Sequence, residues 1–223
     1  ITLGWLYCKK RLIKDSYILE IFDDFISYLI IGVILGGRIG YVLFYNIKYY
    51  LENPIEILMI WNGGMSFHGG LIGVLIASKL FSNKHKVNQF IFLDLVSLSA
   101  PIGIFFGRIA NFINSELIGR ATDLPWSVQF VLIDNIKRHP SQLYEAFFEG
   151  IILFFLLGYF FRKNYLQKPG KISALFLIFY SLFRFFAEFF RSPDFQIGYL
   201  FLNLTLGQLI SILFLIVGTL LFL

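Results

Sequence analysis

The chain has 223 residues and is rich in apolar and aromatic side chains and poor in charge, which excludes an ordinary soluble domain. Hydrophobic residues make up 57% of it and charged residues 15%, where soluble domains carry roughly 25% charged residues. So little charge cannot cover so much apolar surface in water, whereas a lipid solvent removes the difficulty. The net charge of +5 does not indicate a nucleic-acid partner, because the basic residues lie mostly in short loops between apolar runs, as membrane topology predicts.

Six apolar segments are long enough for membrane-spanning helices, which need about 20 residues each. The apolar residues 1–8 stop at a basic cluster and are expected to be the tail of a seventh helix. We therefore predict an all-α fold, a polytopic membrane helical bundle in which residues 1–223 form a single domain. The predicted spans run roughly over 25–47, 64–81, 90–112, 142–161, 172–190 and 203–223.

The distribution of basic residues predicts the orientation of the bundle. Loops 9–24, 82–89 and 162–171 together hold ten Lys and Arg, and the other loops hold five. The first set is expected to face the cytoplasm. Residues 113–141 then form the longest outward-facing segment, with a short strand predicted at 126–130 and a helix start at 139–141.

A polar stripe marks the span 172–190. Tyr180, Arg184, Glu188 and Arg191 are spaced by four, four and three residues, which places them on one helix face. One interpretation is an ion ladder that only joins helices. The other is an anion site, because two arginines against one carboxylate leave a surplus of positive charge.

A second group of polar residues lies where the span 90–112 ends. Arg108 and Asn111 share a helix face, and Asn114, Glu116 and Gly119 continue the group into the outward segment. The plain alternative is a polar helix end closed by a glycine.

A lone histidine and a further arginine lie next to glycines. His68 has Gly63 and Gly64 before it and two more glycines after it. Histidine titrates near neutral pH, so this residue is a candidate base, although a packing role is equally open. Arg38 lies in a glycine-rich helix segment, where close helix packing explains the glycines.

Arg38 has more than one candidate partner. It is expected either to bind a lipid phosphate or to pair with Glu149 or Asp94. The chain shows no phosphate-binding loop, no Gly-x-Ser-x-Gly motif and no metal-ligand spacing, and its one cysteine is Cys8. We therefore predict neither a covalent nucleophile nor a metal.

Five motifs resemble the prolipoprotein diacylglyceryl transferase family, in the family's order and over most of the chain. The segment 107–119 (Gly-Arg-x-x-Asn-Phe-x-Asn-x-Glu-x-x-Gly) is the most specific of them. The others are Gly-Gly-Arg-Ile-Gly-Tyr-Val-Leu-Phe-Tyr at 36–45, Asn-Gly-Gly-Met-Ser-Phe-His-Gly-Gly at 62–70, His-Pro-Ser-Gln-Leu-Tyr-Glu at 139–145 and Phe-Arg-x-x-x-Glu-Phe-Phe-Arg at 183–191.

The resemblance implies a seven-helix, multi-pass enzyme of the bacterial inner membrane. Its lipid donor would be phosphatidylglycerol, and its acceptor the lipobox cysteine of a prolipoprotein signal peptide. The products would be a thioether-linked diacylglyceryl protein and glycerol phosphate. Membrane lipids would surround the protein, no cofactor is expected, and we expect a monomer.

The substrate thiol would be the nucleophile in this reaction, which fits a chain without its own. Arg108 and Arg184 would bind the phosphate and stabilise the leaving group, and His68 would take the thiol proton. Further lipid-binding residues would be Asn111, Asn114, Glu116, Gly119, Tyr180, Glu188, Arg191 and Arg38.

Two rival functions are consistent with the same residues. A transporter for an anionic solute would also use arginines within the membrane and broken, glycine-rich helices. A structural subunit would use the polar stripes only to pack helices.

Overall fold

The computed structural model describes residues 2–193, 198–200 and 203–223, and these are mostly helical. Strands β1 (Val128–Gln129) and β2 (Lys137–Arg138) pair antiparallel. Short 3-10 turns lie at Pro54–Leu58, Ile60–Asn62 and Tyr165–Gln167. The helices are α1 (Thr2–Tyr7), α2 (Ser16–Tyr45), α3 (Ile47–Glu52), α4 (Phe67–His85), α5 (Gln89–Ile113), α6 (Ser141–Arg162), α7 (Lys171–Ala187) and α8 (Leu206–Phe222).

Each of the six predicted apolar segments lies on a helix, so the helical fold class is confirmed. Within the described residues, α5 and α6 have both the length and the apolarity needed to cross a membrane, and α8 is apolar but shorter. The predicted strand at 126–130 forms as β1, and α6 begins at Ser141, directly after Pro140, as the sequence indicates.

The predicted basic loop 9–24 is wrong, because most of it is helical. A π-helical turn covers Cys8–Leu12, and α2 begins at Ser16 rather than near residue 25. Asp15 caps α2, since its Oδ1 accepts the N–H of Ile18 at 3.0 Å. The first turns of α2 bury Ile21 and Phe22, so they pack in the core as an amphipathic extension of the helix.

The chain divides into two compact units. The N-terminal unit, Tyr7–Leu93, is built on the α2–α4 pair. Glycines let these helices touch, because a Cβ on Gly73 would lie 1.9 Å from the carbonyl oxygen of Gly32, and one on Gly69 would lie 2.2 Å from that of Gly36. The prediction that glycines near Arg38 serve close helix packing is confirmed.

The C-terminal unit comprises Asp94–Leu223 together with the segment up to Leu6. Asp94, fully buried on α5, holds the start of α7. Its Oδ2 accepts the N–H of Gly170 at 2.8 Å, and its Oδ1 accepts the N–H and Oγ–H of Ser173 at 2.7 and 2.6 Å. Because Asp94 is occupied in this way, the predicted pairing of Asp94 with Arg38 is wrong.

Candidate active site

Charged side chains from α5, α6 and α7 meet in the C-terminal unit and form what we call the Arg–Glu cluster: Arg108, Glu145, Glu149, Arg184 and Glu188. Glu145 lies between the two arginines, with Oε2 at 2.8 Å from Arg108 Nε and Oε1 at 2.9 Å from Arg184 Nη1. The two guanidinium groups therefore face the same carboxylate.

The other two glutamates complete the cluster. Glu149 lies 3.3 Å from Arg108 Nη2 and 3.8 Å from Arg184 Nη1. Glu188 Oε2 lies 2.7 Å from Arg184 Nη2, and its Oε1 accepts the hydroxyl of Thr205 at 3.1 Å. The side chains of Arg108 and Arg184 are 16% and 11% exposed, and those of Glu145 and Glu149 at most 1%, so the arginines lie on the more open side.

Helix periodicity places these side chains. Arg184 and Glu188 are one turn apart at the end of α7, and Glu145 and Glu149 are one turn apart on α6. The α6 pair lies where the helix widens into a π-helical segment, Ala146–Ile152. Such segments are rare in proteins and frequent at functional sites.

The charge balance predicted for this site is wrong. The sequence indicates a surplus of positive charge because it counts Arg184 and Arg191 against Glu188 alone. In the structure, the two clustered arginines face three carboxylates, which gives a formal charge of −1 when all are ionised. Since Glu149 is engaged here, its predicted pairing with Arg38 is also wrong.

Two predicted residues meet where α5 ends. Asn111 donates its Nδ2–H to Glu116 Oε2 at 2.8 Å. The backbone on either side of Glu116 is left-handed, with φ of 57° at Ser115 and 53° at Leu117, and turns the chain here. Gln142 on α6 fixes this turn by donating to the carbonyl oxygen of Glu116 at 2.6 Å.

The remaining predicted side chains of this unit have separate positions. Asn114 is exposed at the end of α5. Tyr180 lies one turn before Arg184 and stacks on Phe176, with ring centroids 5.5 Å apart. Arg191 is buried, and its carbonyl oxygen accepts the Nε–H of Arg120 at 2.9 Å.

Gly119 joins three segments of backbone instead of closing the helix. Helix α5 already ends at Ile113, and Gly119 forms a β-bridge with Arg191. A Cβ on Gly119 would lie 2.1 Å from the carbonyl oxygen of His139, so only glycine fits. The glycine-stop interpretation is therefore wrong, and the reason for this glycine is close backbone approach.

His68 and Arg38 belong to the N-terminal unit. His68 is the second residue of α4, which Ser66 caps by accepting the N–H of Gly69 at 3.2 Å. The glycines near His68 are required by the backbone. Gly63 and Gly64 adopt positive φ, 81° and 80°, and Gly69 lets α4 pack closely on α2. Arg38 is 4% exposed and donates to backbone carbonyl groups.

Glu145 is the main residue that sequence reasoning missed. It ends the motif at 139–145 and precedes Glu149 by one helical turn, which is the signal that could have found it. Gln142 lies in the same motif. Both are fully buried polar side chains, which proteins rarely keep without a structural or functional need.

The fold and the cluster together define the class of protein. Two apolar helices long enough to cross a membrane, α5 and α6, contribute with α7 to a group of buried glutamates and partly buried arginines. This combination is typical of a helical membrane protein with a functional polar interior.

Comparison with known proteins identifies the family. The sequence profile described as prolipoprotein diacylglyceryl transferase matches residues 1–223. A phosphatidylglycerol–prolipoprotein diacylglyceryl transferase of Rickettsia bellii (strain OSU 85-389) is 51% identical over 221 residues, 98% of this chain and 84% of that protein. The chain belongs to the prolipoprotein diacylglyceryl transferase family.

Two further relatives carry the same name. The protein of Rickettsia typhi is 51% identical over 222 residues, 98% of this chain and 86% of its own length. The protein of Azospirillum brasilense is 52% identical over 216 residues, 95% of this chain and 81% of its own length. These similarities favour a transferase over the rival transporter and structural subunit.

Proposed function

We propose that this protein transfers the diacylglyceryl group of phosphatidylglycerol to the lipobox cysteine of a prolipoprotein and releases glycerol phosphate. The transferases named above, about half identical over nearly the whole chain, support this function. The structural observation that carries it is the meeting of Arg108 and Arg184 at Glu145. It brings together the two groups best suited to hold a lipid phosphate.

Arg108 is the arginine that reaches the phosphate first. Its described contacts use Nε and Nη2, and none involves Nη1. Arg184 uses both terminal nitrogens on glutamates and is the less exposed of the two. Arg108 therefore keeps N–H groups for the lipid, and Arg184 adds its charge from behind.

The three carboxylates limit how the phosphate enters. A cluster of formal charge −1 repels an anion. The phosphate can bind when a glutamate takes up a proton, or when a glutamate releases an arginine N–H that then donates to the phosphate. Binding of the donor lipid is therefore coupled to rearrangement within the cluster. We assign Glu188 to positioning Arg184. The candidate headgroup contacts are Asn111, Asn114, Glu116, Gly119, Tyr180 and Arg191.

The chemical step is a displacement at carbon. The thiolate sulfur forms a bond to the glycerol carbon that carries the phosphate ester, and the carbon–oxygen bond breaks. The electron pair leaves with glycerol phosphate, whose charge the arginines stabilise. The thiol proton goes to His68 as the candidate base.

The membrane placement follows from the same proposal. The enzyme crosses the bacterial inner membrane several times as a single-domain monomer, with residues 113–141 outside. A membrane-impermeant maleimide tests the orientation in a variant whose native cysteine is replaced by Cys8→Ser. A cysteine introduced at Ile133 should react in intact cells and one at Asn83 only after lysis; the reverse pattern would show that the orientation is inverted.

Mass spectrometry of a lipobox peptide incubated with the purified protein and phosphatidylglycerol tests the activity. We expect the peptide to gain the mass of one diacylglyceryl group, and Arg108→Ala and Arg184→Ala to abolish the gain. Arg162→Ala, at an exposed arginine that ends α6, serves as the control. Full activity in both cluster variants would remove the proposed role of the cluster.

The base needs a separate test. His68→Asn should lower the rate most at the acidic end of the range, where hydroxide is too scarce to replace a lost base. The transfer rates of His68→Asn and wild type are compared from about pH 6 to about pH 9. A pH profile with the same shape as wild type would show that another group takes the proton.

A further inference from the structure

The environment of Arg38 differs from that of the cluster arginines, because every N–H group it has is already used. A guanidinium carries five N–H donors. Described residues supply five backbone carbonyl acceptors for them. Nε donates to Ile57 at 2.9 Å, Nη1 to Gly63 and Gly64 at 2.5 and 3.1 Å, and Nη2 to Glu56 and to Met59 at 3.3 Å.

Burial makes these contacts the main support of the charge. Arg38 is 4% exposed, and no carboxylate pairs with it among the residues that the structure describes. The carbonyl dipoles therefore take the place of a counter-ion. The ring of Tyr50 adds a cation–π contact, with its centroid 5.1 Å from Arg38 Cζ.

All five acceptors lie in the connection between α3 and α4, which we call the 53–66 loop. Its carbonyl groups point to Arg38 because two short 3-10 turns and two glycines with positive φ fold the backbone around the guanidinium. A Cβ on Gly64 would lie 2.9 Å from Arg38 Nη1 and 2.6 Å from the ring of Tyr41. The loop backbone thus rests directly on the arginine.

The end of this loop sets the start of α4. Ser66 donates its N–H to the carbonyl oxygen of Gly37 at 2.8 Å, next to Arg38 in sequence. Ser66 also caps α4, and His68 follows two residues later. The backbone that Arg38 holds at Gly64 therefore leads through Ser66 directly into the helix that carries His68.

We propose that Arg38 is a positioning residue, whose guanidinium fixes the 53–66 loop and thereby places His68 at the start of α4. This inference rests on the proposed function in so far as His68 is the base. A phosphate could bind Arg38 only if the loop gave up carbonyl contacts, so direct lipid binding by this arginine is disfavoured. Arg38 therefore contributes to catalysis only through the position of His68.

Amide hydrogen exchange, read by mass spectrometry on the full-length protein, tests the clamp without reference to activity. Arg38→Lys keeps the charge but has one nitrogen in place of three, and Arg38→Met removes the charge. In both, exchange in the 53–66 loop should rise about tenfold or more while α8 is unchanged. Unchanged loop exchange in both variants would overturn the clamp.

A matched glycine pair covers the case in which Arg38 variants do not fold. Gly64→Ala pushes a methyl group against Arg38 and Tyr41, whereas Gly63→Ala has the same backbone strain, with φ of 81° against 80°, and open space around its Cβ. We expect the larger rise in loop exchange for Gly64→Ala. Equal effects would show that contact with Arg38 does not hold the loop.

Kinetics distinguish positioning from lipid binding. As a positioning residue, Arg38 changed to Lys should lower kcat about tenfold or more with little change in KM for phosphatidylglycerol. In a protein that already carries His68→Asn, adding Arg38→Lys should cause no further loss of kcat. A raised KM with kcat preserved would assign Arg38 to the lipid instead. If wild type transfers no lipid, the proposed function fails, while the exchange measurements still decide whether the clamp exists.

Discussion

Replacing Arg184 by lysine tests whether the geometry of the Arg–Glu cluster matters beyond its charge. Arg184 binds Glu145 through Nη1 at 2.9 Å and Glu188 through Nη2 at 2.7 Å. Lysine keeps the positive charge but has a single nitrogen on an unbranched chain. It can therefore hold one of these two glutamates in its native position, but not both.

The expected loss follows from the one contact that lysine cannot replace. The coupling energy of a close charge pair is about 1.5–7 kcal/mol, and we take the lower part of that range, about 1.5–3 kcal/mol, because Arg184 is partly exposed. If the lost contact positions the cluster for the transition state, kcat/KM falls by about 10- to 150-fold, at about 1.36 kcal/mol per factor of ten. Arg184→Ala should lose more, because it leaves buried carboxylates without their counter-charge.

The assay is diacylglyceryl transfer to a lipobox peptide, with rates corrected for the folded fraction of each variant in detergent. Arg162→Lys, the same change at an exposed arginine, should keep the wild-type rate. Glu188→Gln, which removes the charge of one of the three glutamates near Arg184, should produce a loss in the same range. An Arg184→Lys rate within about threefold of wild type would refute the reasoning, because only charge would then matter.

Three further predictions concern the fold and its pH dependence. Asp94→Ala leaves three buried donors without their acceptor and should lower the free energy of unfolding by about 3–5 kcal/mol in a denaturant titration, with Asp94→Asn losing less. Gly73→Ala forces α2 and α4 apart and should cost about 1–3 kcal/mol, whereas Gly158→Ala, with open space around its Cβ, should cost nothing by the same measurement. The hydrogen bond from Arg138 lowers the pKa of Asp134 below its ordinary value, so it stabilises the β1–β2 hairpin above that value and the effect disappears as the pH falls through the lowered pKa. The protection factors of the hairpin amides, which are corrected for the intrinsic exchange rate at each pH, should therefore fall on acidification in wild type and show no such fall in Asp134→Asn.

The sequence was sufficient where one helix carries the whole pattern. Arg184 and Glu188 are one turn apart, so helical spacing alone predicts their ion pair, which is present at 2.7 Å. Apolar runs likewise located the helices. The start of α2 was missed because its first turns carry charged residues on the exposed face of the helix. Such turns have low hydropathy and were therefore predicted as a loop.

The sequence was insufficient where partners come from different helices. Arg108 and Glu149 are 41 positions apart, and no local spacing indicates that α5 and α6 bring them together. The predicted charge of the site was wrong for this reason, because only the charged residues of a single helix were counted. Gly119 was misread similarly, because the atom that excludes a side chain there belongs to His139.

The number of N–H groups that the protein itself occupies separates the roles of its buried arginines. A guanidinium whose five donors all bind backbone carbonyl groups, as in Arg38, can bind a ligand only by breaking the fold around it. One that keeps an unused nitrogen on its more exposed side, as Arg108 does among its described contacts, can bind an anion at lower cost. A charged side chain within an apolar helix makes both arginines conspicuous in the sequence, yet only the positions of the acceptors distinguish a clamp from a phosphate site. Arg184 is intermediate, because its acceptors are side chains that can exchange partners when a lipid phosphate arrives.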